Sequence, residues 1–100
     1  MYSQKAFGER LSFLRSKAGI DFFQTRDKIG IDSSEYYRYE LGRYIPQEEI
    51  IYTICEYFDV SPEWLLVGIA LNDKERQLSE ELEKDKAERA ESLRKLGIYD

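Results

Sequence analysis

The sequence predicts an all-α fold, with five short helices in residues 1–70 and a charged helical extension in residues 71–100. Apolar residues repeat at helical spacing in several segments. Two aspartates stand at positions that suit the start of a helix. Glycines and prolines separate the helical segments at short intervals. Together these patterns are typical of a small helical domain with tight connections.

The first helix is predicted over residues 3–17. One apolar stripe follows it at spacings of four, three and four residues: Phe7, Leu11, Leu14 and Ala18. Gly19 ends the pattern. Arg15 and Lys17 fall in the last turn, where cations interact favourably with the helix dipole.

Residues 20–46 contain two short helix patterns joined at a glycine. Helix 2 is predicted over 22–29 and helix 3 over 33–41, with Gly30 at the turn between them. Each begins with an acidic residue and has Gln or Glu three residues later, which fits a capping box: Asp21 with Gln24, and Asp32 with Glu35. Two short helices around such a turn are the layout of a helix-turn-helix.

Two further helices follow in the first 70 residues. Pro46 is expected to open helix 4, where its missing N–H costs nothing, and the helix extends to about Phe58. Ser61 and Pro62 then predict the N-cap and first residue of helix 5, which ends near Gly68.

The extension is rich in Glu, Lys, Arg, Leu and Ala, all of which are compatible with helix. Its apolar stripe is incomplete: Leu71, Leu78, Leu82, Leu93 and Leu96. A sustained coiled coil needs cleaner heptads. The sequence therefore predicts one long exposed helix that packs at its two ends, with helix pairing in a dimer or partial disorder as the alternatives.

The chain is acidic, with a net charge of −5. Residues 1–70 carry 8 basic and 11 acidic side chains, and residues 71–100 carry 7 and 9. Nucleic-acid-binding domains usually present a basic patch. Because salt limits the range of interactions between exposed charges to about 8 Å at physiological ionic strength, the local distribution of charge matters more than the net charge.

The composition argues against an enzyme and against a membrane protein. Histidine is absent and Cys55 is the only cysteine, so no metal site, cofactor site or Cys-His nucleophile is expected. No apolar run reaches 18 residues, and no signal-like stretch precedes the first helix. A single cysteine suits a reducing compartment, so we expect a cytoplasmic protein.

Several short motifs occur in order along residues 6–68. They are Phe7-Gly8-Glu9-Arg10-Leu11, Leu14-Arg15, Ala18-Gly19-Ile20, Ile29-Gly30-Ile31, Tyr39-Glu40-Leu41-Gly42, Pro46, and the run from Phe58 to Gly68. In this order and spacing the sequence resembles the lambda-repressor/Cro (Xre-like) class of helix-turn-helix regulators. The resemblance implies a five-helix, lambda-repressor-like DNA-binding domain.

The resemblance also implies roles for individual side chains. Those expected to contact bases lie on helix 3: Ser33, Ser34, Tyr37 and Arg38. Those expected to contact the DNA backbone are Lys17, Arg43 and Tyr44. An ion pair between Arg15 and Glu40 is expected to join helix 1 to the end of helix 3. For Arg38 the alternative is an exposed salt bridge to Glu35 or Asp32.

Helix 2 departs from the family pattern at three positions. Phe22 stands where the family often has a Gln that clamps a phosphate. Thr25 replaces a large aliphatic residue, and Arg26 replaces a small one. Helix 2 is therefore expected either to pack unusually, with Phe22 or Phe23 turned inward, or to serve a purpose other than the usual phosphate clamp.

The sequence predicts a DNA-binding transcriptional regulator, a repressor that reads a palindromic operator in double-stranded DNA with helix 3. A homodimer would supply one recognition helix to each half-site. The alternative is a protein-interaction or inhibitor module of the same fold that has lost DNA binding and engages a protein partner. The net acidity and three tyrosines expected to be exposed, Tyr37, Tyr44 and Tyr52, favour that alternative.

Overall fold

The structure is a computed structural model that describes residues 3–97, and within that range all regular structure is helical. The all-α prediction is confirmed. The helices are α1 (Gln4–Lys17), a 3₁₀ turn (Phe22–Gln24), α2 (Thr25–Lys28), α3 (Ser33–Glu40), α4 (Glu48–Phe58), α5 (Pro62–Val67) and α6 (Asp73–Lys95). The division at residue 70 stays a prediction, and residues 1, 2 and 98–100 of its two ranges lie outside the described part.

The core is formed by apolar side chains from α1, α3, α4, α5 and the first half of α6, together with residues of the connecting turns such as Ile31. Its largest fully buried apolar members are Trp64, Tyr36, Phe7, Leu11, Ile31, Ile54 and Leu65. In the described part of the chain, no helix combines the length and apolar character needed to cross a membrane.

Helices α1 and α3 approach each other at backbone distance. A Cβ added to Gly8 of α1 would lie under 3.0 Å from the carbonyl oxygen of Glu40, and 3.0 Å from that of Tyr39. Only glycine leaves room for this crossing. The crossing fixes the end of α3 against α1, so Gly8 helps to position the helix that carries the candidate site.

Helix 2 is not the single α-helix predicted over residues 22–29. The capping box between Asp21 and Gln24 is present, with Gln24 Oε1 accepting from Asp21 N–H at 3.0 Å. The carbonyl oxygen of Phe22 accepts from the Thr25 N–H and from the Thr25 hydroxyl (3.1 Å), and the Ser33 hydroxyl also donates to it. The i to i+3 bond at this carbonyl gives a 3₁₀ turn, and α2 is only one turn long.

Helix α4 begins two residues later than predicted. Pro46 is buried in the preceding loop, and Gln47, with extended backbone angles, is the N-cap before Glu48. Pro46 therefore packs as a loop residue instead of serving as the first helical residue.

Helix α6 contacts the rest of the domain from its start to Lys86, which pairs with Glu9 of α1 at 3.6 Å, and its last turns are exposed. Glu75 and Leu78 are buried, whereas Leu96 just beyond its end is 73% exposed. The prediction that the extension packs at both ends is wrong for the C-terminal end. The cause is the long gap in the apolar stripe between Leu82 and Leu93, which leaves nothing to bury on that side.

Lys74, in the first turn of α6, binds the C-terminal end of α4. Its Nζ donates to the carbonyl oxygens of Phe58 (3.0 Å) and Asp59 (2.9 Å). The last carbonyls of a helix have no partner within the helix and carry a partial negative charge, so a cation is favourable here. Lys74 therefore ties α6 to the end of α4.

The neighbouring Glu75 binds the start of α5. Its carboxylate accepts from the Ser61 N–H (2.7 Å), the Ser61 hydroxyl (2.9 Å) and the Leu71 N–H (2.9 Å). Burial acts to raise the pKa of Glu75, but these hydrogen bonds prevail and lower it, so the group is held as a carboxylate. One turn further along α6, Ser79 accepts from the Trp64 indole N–H at 2.8 Å.

Candidate nucleic-acid interface

Helix α3 divides cleanly into a buried side and an exposed side. Tyr36 and Tyr39 point into the core. Ser34, Tyr37 and Arg38 are exposed on the other side, which we call the α3 face. This is the arrangement that a helix needs if it is to insert side chains into a DNA groove.

The N-terminus of α3 is capped by Asp32. Its carboxylate accepts from the Ser34 N–H (3.1 Å) and from the Ser34 hydroxyl. The hydroxyl bond is the main cause of a lowered pKa for Asp32. The predicted return bond from Glu35 is replaced, because the Glu35 carboxylate accepts from the Tyr39 hydroxyl at 2.8 Å.

The other end of α3 is joined to α1 by Arg15 and Glu40. Arg15 Nε lies 2.6 Å from Glu40 Oε2, and Nη2 lies 3.2 Å from Oε1, so the contact is bidentate. A third Arg15 donor reaches the carbonyl oxygen of Ile20 at 2.8 Å. Both side chains are largely buried, and the Glu40 hydrogen bond raises the pKa of Arg15. The Arg15 guanidinium thus links α1, the loop after it and α3.

Phe22 is the ring that turns inward, whereas Phe23 is 89% exposed. The Arg15 guanidinium lies 4.0 Å from the centroid of the Phe22 ring, a cation–π distance. The same ring meets Tyr37 edge to face, with centroids 5.4 Å apart. An apolar ring therefore occupies the position where the family often places a phosphate clamp, and of the two packing alternatives Phe22 is the one observed.

Thr25 and Ser33 form the polar joint between α2 and α3. Thr25 is completely buried, and its Oγ1 lies 3.1 Å from Ser33 Oγ. The Ser33 hydroxyl also donates to the carbonyl oxygen of Phe22. Ser33 was expected among the base contacts, but its hydroxyl is already engaged inside the domain. Arg26 avoids this interior and stays exposed.

The Arg38 guanidinium does not form the alternative salt bridge. Asp32 Oδ1 pairs with Arg26 Nη2 at 2.9 Å, and Glu35 is held by Tyr39. Among residues 3–97, no carboxylate oxygen lies within 4.0 Å of the Arg38 guanidinium nitrogens. Both acids that could have bound Arg38 have other partners, so its donors face solvent.

The three expected backbone contacts differ in their surroundings. Arg43 is exposed in the loop after α3, and Tyr44 beside it is partly exposed, with its ring edge to face against Tyr39 at 5.4 Å. Lys17 lies at the end of α1 and pairs with Glu81 of α6. No sequence pattern indicated this pairing, because the two residues are 64 positions apart.

The described range 3–97 contains no cluster of three or more side chains of the kinds that bind metal ions. An exposed α3 face, placed by a short α2 and a glycine turn, defines a helix-turn-helix domain. The family model described as "Helix-turn-helix domain" matches residues 8–71. The chain belongs to this family.

Two solved structures share the fold. The P22 c2 repressor, determined in complex with a synthetic operator, is 24% identical, with a TM-score of 0.58 over 63% of this chain and 96% of the repressor chain. The clp gene regulator ClgR from C. glutamicum is 18% identical, with a TM-score of 0.56 over 72% and 99%. No curated protein sequence matches the chain significantly. The resemblance to lambda-repressor-like regulators is confirmed at the level of the fold.

Proposed function

We propose that the protein is a sequence-specific, DNA-binding transcriptional repressor that acts in the cytoplasm as a homodimer. Helix α3 of each protomer would enter the major groove at one half of a palindromic operator, with half-sites about 34 Å apart. The observation that carries the proposal is the solvent-facing Arg38 guanidinium on the α3 face, since both nearby acids are bound elsewhere.

The α3 face offers the chemistry that base recognition needs. A guanidinium can donate two parallel hydrogen bonds to O6 and N7 of guanine. Ser34 and Tyr37 add exposed hydroxyl groups on the same side of the helix. In this proposal Ser33 does not contact bases. Its hydroxyl joins α2 to α3 and so helps to hold the α3 face in position.

Arg43, Tyr44 and Lys17 are proposed to contact the phosphate backbone. Such contacts fix the position of a protein on the duplex without reading sequence. Phe22 contributes no hydrogen bond of that kind, so fewer phosphates are bound at α2 than in a relative with a clamp. The basic residues of the α3 region, Arg38 and Arg43, offset locally a net charge that is negative overall.

Selection from random duplexes tests the proposal, and two variants test the assigned roles. Wild-type protein should return a palindromic motif. Arg38→Ala should relax specificity at one base position per half-site, at a cost of ~1–3 kcal/mol. Arg43→Ala should weaken binding to all sequences and reduce the salt dependence of binding by about one ion per protomer. Arg94→Ala, an exposed change near the end of α6, is the matched control.

Failure to enrich any duplex at low salt, with the protein shown to be folded, would contradict DNA reading. It would favour the protein-interaction module instead. One observation points to that second function: Phe23 is 89% exposed at the start of the helix-turn-helix, and a large exposed apolar ring is a typical interface residue.

Glu81→Gln is expected to strengthen DNA binding. The change frees Lys17 from its ion pair with α6 and makes its charge available to a phosphate. Because an exposed pair is worth at most ~1 kcal/mol, affinity should rise by up to about fivefold for each protomer. The dependence of affinity on salt should also become steeper by about one ion per protomer.

Titrations of one operator at several salt concentrations would measure both effects. Glu80→Gln makes the same charge change at an exposed neighbouring position. Equal gains from the two variants would mean that only net charge matters, and would remove Lys17 from the backbone contacts.

A further inference from the structure

We propose that Tyr37 selects thymine in each operator half-site and that Phe22 positions it to do so. The inference rests on the proposed DNA-binding function and deepens it. It concerns a contact between the exposed Tyr37 side chain of the α3 face and one base, which would help to determine sequence specificity.

Tyr37 is held in place from one side and open on the other. The side chain is 49% exposed on the α3 face. Its ring meets the edge of Phe22 at 5.4 Å between centroids, with an interplanar angle of 79°. Edge-to-face pairs at this distance are attractive, so the ring has a preferred orientation before any ligand binds.

Phe22 is itself fixed by the ion pair that joins α1 to α3. The Arg15 guanidinium lies 4.0 Å from the centre of its ring, and Arg15 is bound to Glu40 through two hydrogen bonds. The orientation of the Tyr37 ring is therefore fixed by the contacts of Phe22 with the largely buried Arg15–Glu40 ion pair, and not by other exposed side chains. A preorganised tyrosine loses little conformational entropy on binding, which favours a specific contact.

The exposed part of Tyr37 matches one base better than the other three. In the major groove thymine presents the O4 acceptor next to the C5 methyl group, and no other base carries that methyl. The phenol offers an apolar ring edge and a hydroxyl donor on the same group. In the described residues 3–97 the Tyr37 hydroxyl has no hydrogen bond to protein, so both features are available to a base.

The test uses the duplex that wild-type protein selects, with each thymine in turn replaced by deoxyuridine. This replacement removes only the C5 methyl. At one position per half-site, wild-type binding should fall about fourfold, the equivalent of one methyl group leaving an apolar contact at ~0.8 kcal/mol. Substitution at both half-sites should weaken binding roughly 15-fold.

Protein variants distinguish the contributions of the Tyr37 ring, the Tyr37 hydroxyl and the Phe22 ring that packs against Tyr37. Tyr37→Ala should bind the thymine and deoxyuridine duplexes equally, whereas Tyr37→Phe should keep their ratio at lower overall affinity. Phe22→Leu, which leaves an apolar side chain, should reduce the ratio, and Phe22→Tyr should retain it. A merely structural role for Phe22 would weaken both duplexes alike and leave the ratio unchanged.

The wild-type measurement can overturn the role of Tyr37 without depending on how any variant folds. Equal binding to thymine and deoxyuridine at every position would overturn the role of Tyr37 while leaving the proposed function in place. If folded wild-type protein selects no duplex at all, both the role of Tyr37 and the proposed function are overturned.

Discussion

Gly8→Ala is expected to destabilise the domain by about 3 kcal/mol, near the upper end of the usual cost of overpacking. In an ordinary helix interior the same change stabilises by ~0.5–1 kcal/mol, so the two expectations differ in sign. The new Cβ would meet the Glu40 carbonyl, which is main chain and has no rotamer to adopt. Helices α1 and α3 would have to separate, which would strain the contact between Arg15 and Glu40.

Thermal unfolding followed by circular dichroism measures this effect. At about 4–8 °C per kcal/mol for a domain of this size, the midpoint should fall by roughly 12–24 °C. Ser16→Ala, at an exposed position of the same helix, should change it little or raise it slightly. A midpoint for Gly8→Ala at or above that of wild type would show that Gly8 of α1 does not lie in close contact with the backbone of α3.

Glu75→Ala is expected to lower the free energy of unfolding by about 3 kcal/mol, since it leaves the partly buried N–H donors of Ser61 and Leu71 without their carboxylate partner at ~1–3 kcal/mol each. The side chain is only 1% exposed, so water cannot replace it at no cost. Glu88→Ala, an exposed change on the same helix, should have little effect and serves as the matched control. Equal midpoints of denaturant unfolding for the two variants would rule out the structural role of Glu75.

The pH dependence of stability gives an independent measure of Glu75. Its folded pKa is lowered, so its contribution is complete above the unfolded value of about 4.3 and is lost as the pH falls through the folded pKa. Wild-type protein should therefore lose stability on acidification below about pH 4.3. The Glu75→Gln variant should be less stable than wild type at neutral pH and should lose less stability over the same pH range. Parallel curves for the two proteins would contradict this assignment.

The existence and order of the helices could be predicted from the sequence, because apolar spacing, Asp caps and glycines all act locally. The form of helix 2 could not. Its 3₁₀ turn has the bond from the Thr25 N–H to the Phe22 carbonyl oxygen, and the same oxygen also accepts from the Ser33 hydroxyl, eleven residues away in sequence. The role of Glu75 in the docking of α6 was missed for a similar reason, since a buried glutamate looks the same in sequence as the solvated glutamates around it.

The candidate site was predictable in part. The family resemblance placed Arg38 among the expected base contacts, but it did not determine whether Glu35 or Asp32 would bind the guanidinium. That depended on the hydrogen-bond partners of the two acids, which only the folded arrangement determines. Likewise, the sequence left open whether Phe22 or Phe23 turns inward or helix 2 serves another purpose. In the structure Phe22 turns inward and lies against the Arg15 guanidinium.

The exposed last turns of α6, beyond the Lys86–Glu9 ion pair, extend away from the rest of the domain. From Ala87 to Lys95 the helix advances about 12 Å, at 1.5 Å per residue. A spin label or fluorophore at Lys95 would sit at the far end of this rod, well away from the buried network around Glu75. In a pair of protomers, the distance between two such labels would report the angle between the domains far more sensitively than labels placed on the core.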